Sequence, residues 1–194
     1  MRIIAGLAKG VPLKAPKGVN TRPTSDRVRE SVFAILGDFS DRRVLDLFAG
    51  SGALGLEALS RGAVAALFLE KDRGAVQVIR DNIEKTRFTS QAQVLAVDTL
   101  KFLTNPARYW SEANEEKYDL VFIDPPYTAG LYTTVLAKLI SSGLLVDHSI
   151  VVVETAKFQL PPEVEGFNLW RSERYGDTVV YFYRFCSTKG DPVR

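Results

Sequence analysis

The sequence is nearly empty of the residues that carry metal and redox chemistry. Its 194 residues include one cysteine, Cys186, and one histidine, His148. A single cysteine allows no internal disulfide and no thiolate metal cluster. A single histidine removes His-based metal sites and almost all Ser-His-Asp or Cys-His chemistry. Long apolar runs are missing as well; none approaches the roughly 20 residues that a membrane helix needs. The opening stretch Met1–Gly6 lacks the apolar core of a secretory signal. The expectation is a soluble, cytoplasmic protein with no membrane partner.

What is present suits one globular domain. Hydrophobic residues make up 46% and charged residues 25%, enough apolar material for a sizeable core. The charge is unevenly spread. Residues 1–30 hold Arg2, Lys9, Lys14, Lys17, Arg22, Arg27 and Arg29 against Asp26 and Glu30, which is +5 in a chain whose net charge is +2. The rest of the chain is therefore net acidic. Such asymmetry suggests an anionic partner, with phosphate backbone the commonest candidate. The competing reading is a solvated basic segment.

No internal repeat or low-complexity stretch is visible. The first 23 residues are rich in Gly, Pro and Lys and read as an irregular arm with one or two short strands. Thr24 is a plausible N-cap for a helix whose apolar face is Val28, Val32, Ile35 and Leu36, with Gly37 placed to end it. Residues 1–38 are thus expected to form an N-terminal basic arm and helix, an extension apart from the main domain at 39–194. From residue 43 strands and helices alternate. Strands are expected at Arg43–Phe48, Ala65–Glu70, Gln93–Val97, Tyr118–Asp124 and Ile150–Glu154. Helices are expected at Leu54–Arg61, Asp72–Arg87 and Leu131–Ile140. Two further strands, Phe167–Arg174 and Thr178–Phe185, flank Tyr175-Gly176-Asp177 and predict a hairpin. Asn105–Lys117 is polar and reads as a loop. The fold class is α/β: a Rossmann-like, seven-stranded, mostly parallel sheet with helices on both faces and a C-terminal antiparallel hairpin.

Gly50-Ser51-Gly52-Ala53-Leu54-Gly55 matches G-x-G-x-x-G between a strand and a helix, and Glu70 lies 20 residues beyond Gly50 at the end of the next strand. That is dinucleotide spacing, so a NAD(P) oxidoreductase is one candidate. Asp46, four residues before Gly50, points elsewhere. A pyrophosphate dianion would be repelled by a carboxylate so close, whereas the sulfonium and α-ammonium of S-adenosylmethionine (SAM) would be attracted. Alternatively Asp46 only caps a nearby backbone amide. The stretch resembles motif I of class I SAM-dependent methyltransferases. That resemblance implies that Asp46 and the turn Phe48, Ala49, Gly50, Ser51 and Gly52 hold the methionine part of SAM. It also implies that Glu70, beside Lys71, holds the ribose and that Asp98 meets the adenine amino group; by itself Asp98 could equally be a helix cap.

Asp124-Pro125-Pro126-Tyr127 follows the fourth strand directly. Ligands of open α/β sheets bind at the carboxyl ends of strands, so this element and the glycine turn should face one crevice. The prolines remove two amide donors and leave an acceptor-rich surface beside an aromatic ring. Such a surface suits the exocyclic amine of a nucleobase: acceptors orient its N–H groups, Tyr127 stacks on its ring, and positioning supplies much of the rate. The competing reading is a Pro-rich turn with a core tyrosine. The element resembles the (Asp/Asn)-Pro-Pro-(Tyr/Phe) motif of amino-directed nucleic-acid methyltransferases, which includes both N6-adenine and N2-guanine enzymes.

Arg22-Pro23-Thr24 with Asp26-Arg27-Val28-Arg29-Glu30 is the most specific segment. With Met1–Gly6, Leu54–Ala63, Asp124–Tyr127 and Tyr175–Thr178 it resembles the RsmD-like 16S rRNA guanine-966 N2-methyltransferase family over nearly the whole chain; Asn105–Lys117 finds no match. The resemblance implies SAM as cofactor and a guanine of 16S rRNA as substrate, met in an assembled or assembling 30S particle. It also implies no metal, and we expect a monomer. Arg22, Arg27 and Arg29 become candidates for RNA phosphate contacts, although Arg27 and Arg29 cannot share one helix face. Arg22 and Thr24 alternatively reach the cofactor crevice. Lys9, Lys14 and Lys17 are expected to track RNA backbone on a mobile arm. His148, Trp110 and Trp170 read as surface or packing residues, and Glu57 is left between a crevice role and a salt bridge. The alternatives are N6 of adenine in DNA or RNA, the oxidoreductase, and a non-catalytic RNA-binding assembly factor.

Overall fold

The computed structural model describes residues 1–16, 26–111, 116–125, 131–156 and 163–187. Short runs rich in Val, Leu, Ile and Phe form the centre of a sheet because both of their faces are covered. They are β1 (Arg43–Asp46), β2 (Ala65–Glu70), β3 (Ala92–Ala96) and β4 (Tyr118–Ile123). β5 (Leu145–Ala156), β6 (Phe167–Tyr175) and β7 (Thr178–Phe185) complete a seven-stranded sheet in the order β3-β2-β1-β4-β5-β7-β6. The first five strands are parallel. β7 enters antiparallel between β5 and β6, which accounts for the hairpin at Tyr175–Thr178.

Among the described residues, five helices cover the sheet: α1 (Asp26–Leu36), α2 (Ala53–Ser60), α3 (Arg73–Thr86), α4 (Thr99–Thr104) and α5 (Leu131–Ser141). One core cluster joins α1, α2 and α3 to Val44, Phe68, Phe122 and Val152 on one sheet face. A second joins α4 and α5 to Leu45, Leu67, Val121 and Val151 on the other. Phe33 meets Phe122 of β4 with ring centroids 5.7 Å apart, which seats α1 over the sheet, and stacks on Phe39 at 5.1 Å. Gly37, at φ 71°, donates from its amide to the Phe33 carbonyl and ends α1. Among the described residues, no helix is long and apolar enough to cross a membrane.

Several expectations change. α4 was not anticipated; its six residues show too little periodicity, and Asp98 caps it through a hydrogen bond from the Lys101 amide. Part of the expected loop at 105–117 is a 3-10 turn, Pro106–Arg108. β5 begins at Leu145 rather than Ile150. The polar Asp147-His148 pair masks this first part, where His148 takes φ 66° and the register against β4 shifts between Tyr118 and Leu120. His148 is therefore an exposed residue inside a strand. The first sixteen residues are not a mobile arm. Ile3, Ala8 and Leu13 join the core, and Arg2 bridges Pro12. Lys14 is paired with Asp81 at 2.7 Å. Lys17 and Thr24 lie outside the described residues.

Candidate active site

The turn between β1 and α2 is held from both sides. The Leu47 amide donates to Phe122 O of β4 at 3.1 Å, and the Ala49 amide to Leu69 O of β2 at 3.0 Å. Gly50 and Gly52 take φ 54° and 78°, the left-handed region that favours glycine. The Gly50 amide donates to Glu70 at 3.0 Å, and the other Glu70 oxygen accepts from the Asp72 amide at 2.8 Å. Gly55 lets α2 settle directly on β2: a Cβ there would stand 2.3 Å from the Phe68 ring. From the far side, the Thr99 hydroxyl donates to Leu47 O. The loop is thus fixed by its neighbours as well as by its own hydrogen bond from the Gly52 amide to Ala49 O at 2.6 Å.

Above the carboxyl ends of β1, β2, β3 and β4 lies a cavity of about 550 Å³. Asp46, Phe48, Ala49, Gly50 and Ser51 line one part of it. Glu70, Lys71 and Asp98 line another, and Asp124 closes the side toward β4. Gly52 and Pro125 are buried and are not among the lining residues. Pro126 and Tyr127, together with Arg22, lie outside the described residues. Arg27 is exposed on α1. Arg29 is not: its side chain is 1% exposed and forms part of the cavity wall, so it does not face an RNA phosphate.

The cavity is acidic. With Asp72, five carboxyl side chains line it against two basic ones, Arg29 and Lys71. Asp46 is buried, and burial pushes its carboxyl up to about 7. A hydrogen bond from the Gly55 amide, 3.3 Å away, opposes that rise, and the nearby Glu70 charge adds to it. Asp46 thus caps α2 and lines the cavity at once; the two readings of the residue coexist. A buried carboxylate next to open space favours a cationic ligand, which restores the solvation lost on folding. It disfavours a pyrophosphate. The residues therefore fit SAM: Asp46 for the ammonium, Glu70 for ribose hydroxyls, Asp98 for the adenine amine. Apolar Leu69, Leu100 and Leu131 supply surface for a flat ring.

Sequence patterns missed the N-terminal contribution to this wall. Met1, Ala15 and Pro16 line the cavity. Two buried polar residues put them there. Glu57 accepts from the Ile4 and Ala5 amides at 2.7 and 3.1 Å and pairs with Arg61 at 2.8 Å. Asn82 accepts from the Lys14 amide at 2.8 Å and donates to the carbonyls of Lys14 and Ser51 at 3.0 and 2.9 Å, joining the N-terminal segment to the glycine turn. The one available signal was a lone charge, Glu57, on an otherwise apolar helix. Trp110 packs in the core, while Trp170 is 37% exposed against Arg184.

Fold and site together define a class I, SAM-dependent methyltransferase with a Rossmann-like sheet. The chain belongs to the family Conserved hypothetical protein 95, which matches residues 1–184. Ribosomal RNA small subunit methyltransferase D of Escherichia coli (strain K12) is 34% identical over 95% of this chain and 89% of its own length. YlbH of Bacillus subtilis (strain 168) is 38% identical over 95% and 98%. The solved structure of Escherichia coli yhhF superposes with a TM-score of 0.84 at 35% identity, covering 97% of this chain and 99% of that one. These relatives remove the oxidoreductase reading.

Proposed function

We propose that this enzyme transfers a methyl group from SAM to the exocyclic N2 amine of a guanine in 16S rRNA, the position-966 type. The acceptor is met in an assembled or assembling 30S particle. The observation that carries the reading is the convergence of Asp46 and Asp124 on one cavity, from the ends of adjacent strands β1 and β4. A cation-binding carboxylate and an amine-accepting carboxylate are what direct methyl transfer to an amine requires. The relatives named ribosomal RNA small subunit methyltransferase D support the RNA substrate.

When bound, SAM supplies an electrophilic methyl carbon on its sulfonium. The chain's own residues do the rest. Asp46 holds the ammonium, Glu70 the ribose and Asp98 the adenine amine, with Phe48, Ala49, Gly50, Ser51 and Gly52 shaping the floor and Lys71 at the rim. Asp124 accepts a hydrogen bond from the guanine amine and so orients its nitrogen. Pro125 and Pro126 leave carbonyl acceptors without competing amide donors, and Tyr127 stacks on the base. The proton leaves after transfer, to Asp124 or to solvent. Arg22, Thr24 and Arg27 contact the RNA; no metal takes part, and the enzyme acts as a monomer.

Asp124→Ala is expected to abolish transfer while SAM still binds, measured with labelled SAM on undermethylated 30S particles and naked 16S rRNA. An active variant overturns the mechanism. N2-methylguanosine in the digested product, with particles the better acceptor, supports the substrate; N6-methyladenosine overturns guanine while keeping the chemistry.

A further inference from the structure

A narrow cleft lies beside the cofactor cavity and shares Leu54 and Asp124 with it. Its other walls are apolar: Val32 of α1, Phe122 of β4, Val152 of β5 and Val180 of β7. Glu154, near the end of β5, adds the one further charged group among the described lining residues. The sheet brings the two carboxyl groups together. β4 and β5 run parallel with Ile123 opposite Val153, and Asp124 and Glu154 are the next residue of each. Side chains alternate along a strand, so both follow Phe122 and Val152 onto the face covered by α1. Glu154 is 7% exposed where its neighbour Val153 is 0%, so part of the residue meets open space.

A carboxylate held among apolar walls needs hydrogen bonds. Glu154 has an interaction within the fold. A carboxylate accepts at about four lone-pair sites, however, which leaves room for a ligand. The chemistry of the acceptor base decides which group that is. A guanine whose N2 amine meets Asp124 carries its N1–H on the adjacent ring atom. An adenine that offered its N6 amine in the same place would present a bare lone pair at N1. A carboxylate accepts from the first and repels the second.

We propose that Glu154 accepts the N1–H of the target guanine while Asp124 accepts from its N2 amine, and that Glu154 thereby makes the site read guanine rather than adenine. The proposal rests on the guanine reading above and deepens it. The Asp-Pro-Pro-Tyr element alone serves either base; a second carboxylate, on the next strand, supplies the difference.

The test uses 30S particles reconstituted with 16S rRNA that carries either guanine or 2,6-diaminopurine at the target position. The analogue keeps the N2 amine and the ring shape but has no proton at N1. Wild-type kcat/KM is expected to favour guanine about hundredfold. Glu154→Gln, whose amide can turn either an oxygen or an N–H toward N1, is expected to shrink that preference at least about tenfold, with SAM affinity in calorimetry unchanged. Comparing the preference between proteins cancels any difference in intrinsic reactivity of the two amines. A purely structural Glu154 predicts equal losses on both particles. Equal wild-type rates on the two, or an undiminished preference in a folded Glu154→Gln protein that binds SAM, would overturn the proposal. Should Glu154→Gln fail to fold, Glu154→Asp keeps the charge but withdraws it by one methylene. It is expected to show an intermediate preference, and a full one overturns the proposal. A wild-type protein that binds SAM but methylates neither particle overturns the guanine reading itself.

Discussion

At the scale of single residues, Asp46 ties proton binding to cofactor binding. The folded chain holds its proton more tightly than the unfolded chain, near 7 against an ordinary 3.8. Stability from the protonated form is complete below the unfolded value and is lost as pH rises through about 7. The ligand-free wild type should therefore lose melting temperature between about pH 4 and 7, and level off above that, relative to Asp46→Asn. A cationic ligand wants the ionised form, so SAM affinity should rise about tenfold from roughly pH 6 to 8 and stay flat in the Asn variant. A flat wild-type profile in calorimetry would sink this coupling. The four carboxylates Asp46, Glu70, Asp98 and Asp124 were legible in the sequence because each sits at or just beyond the end of a strand, where position alone predicts the crevice. Arg29 was not, because a basic residue in a basic segment reads as surface, and only packing reveals that the guanidinium is enclosed.

At the scale of elements, α2 is the member on which the site turns. Its first turn carries the glycine loop, its Gly55 touches β2, and its buried Glu57 grips the N-terminal segment. Gly55→Ala should cost about 2 kcal/mol by overpacking against Phe68, read from denaturant midpoints. Glu57→Ala leaves two amides and Arg61 without their acceptor and should cost about 3 kcal/mol. Hydrogen exchange would then show lost protection at Ile4 and Ala5, whose amides lie 53 and 52 residues from Glu57 in the chain. That distance explains the misreading of the first residues as a loose arm: what orders them is long-range and leaves no local pattern. The central strands and α3 were readable because apolar runs and a 3.6-residue period suffice for them. Short α4 and the polar opening of β5 gave no such signal.

At the scale of the whole molecule, the positive N-terminal segment and the acidic remainder sit in one body whose cavity is itself acidic. Electrostatic attraction to RNA must therefore come from outside the cavity. Lys9 and Arg27 are exposed cations of this segment. Replacing both with glutamine should weaken RNA binding and lower the slope of log affinity against log salt by about 0.7–0.9 per cation, while SAM affinity is unchanged. An unaltered slope in filter-binding assays would place the RNA elsewhere. The parallel sheet and its closing hairpin were legible as a class; the close union of residues 1–16 with the core was not, since composition alone separates them.

The place of β7 has a consequence for how the protein is born. β5 has β4 on one side and waits for β7 on the other, and β7 is synthesised only after β6. Until Phe185 has emerged, β5 presents an unpaired apolar edge two strands from Asp46. During the seconds that about 30 further residues take at typical elongation rates, the nascent chain has a glycine loop but an unfinished wall. A premature stop in β6 should leave no weak enzyme, only an edge prone to pair with other chains.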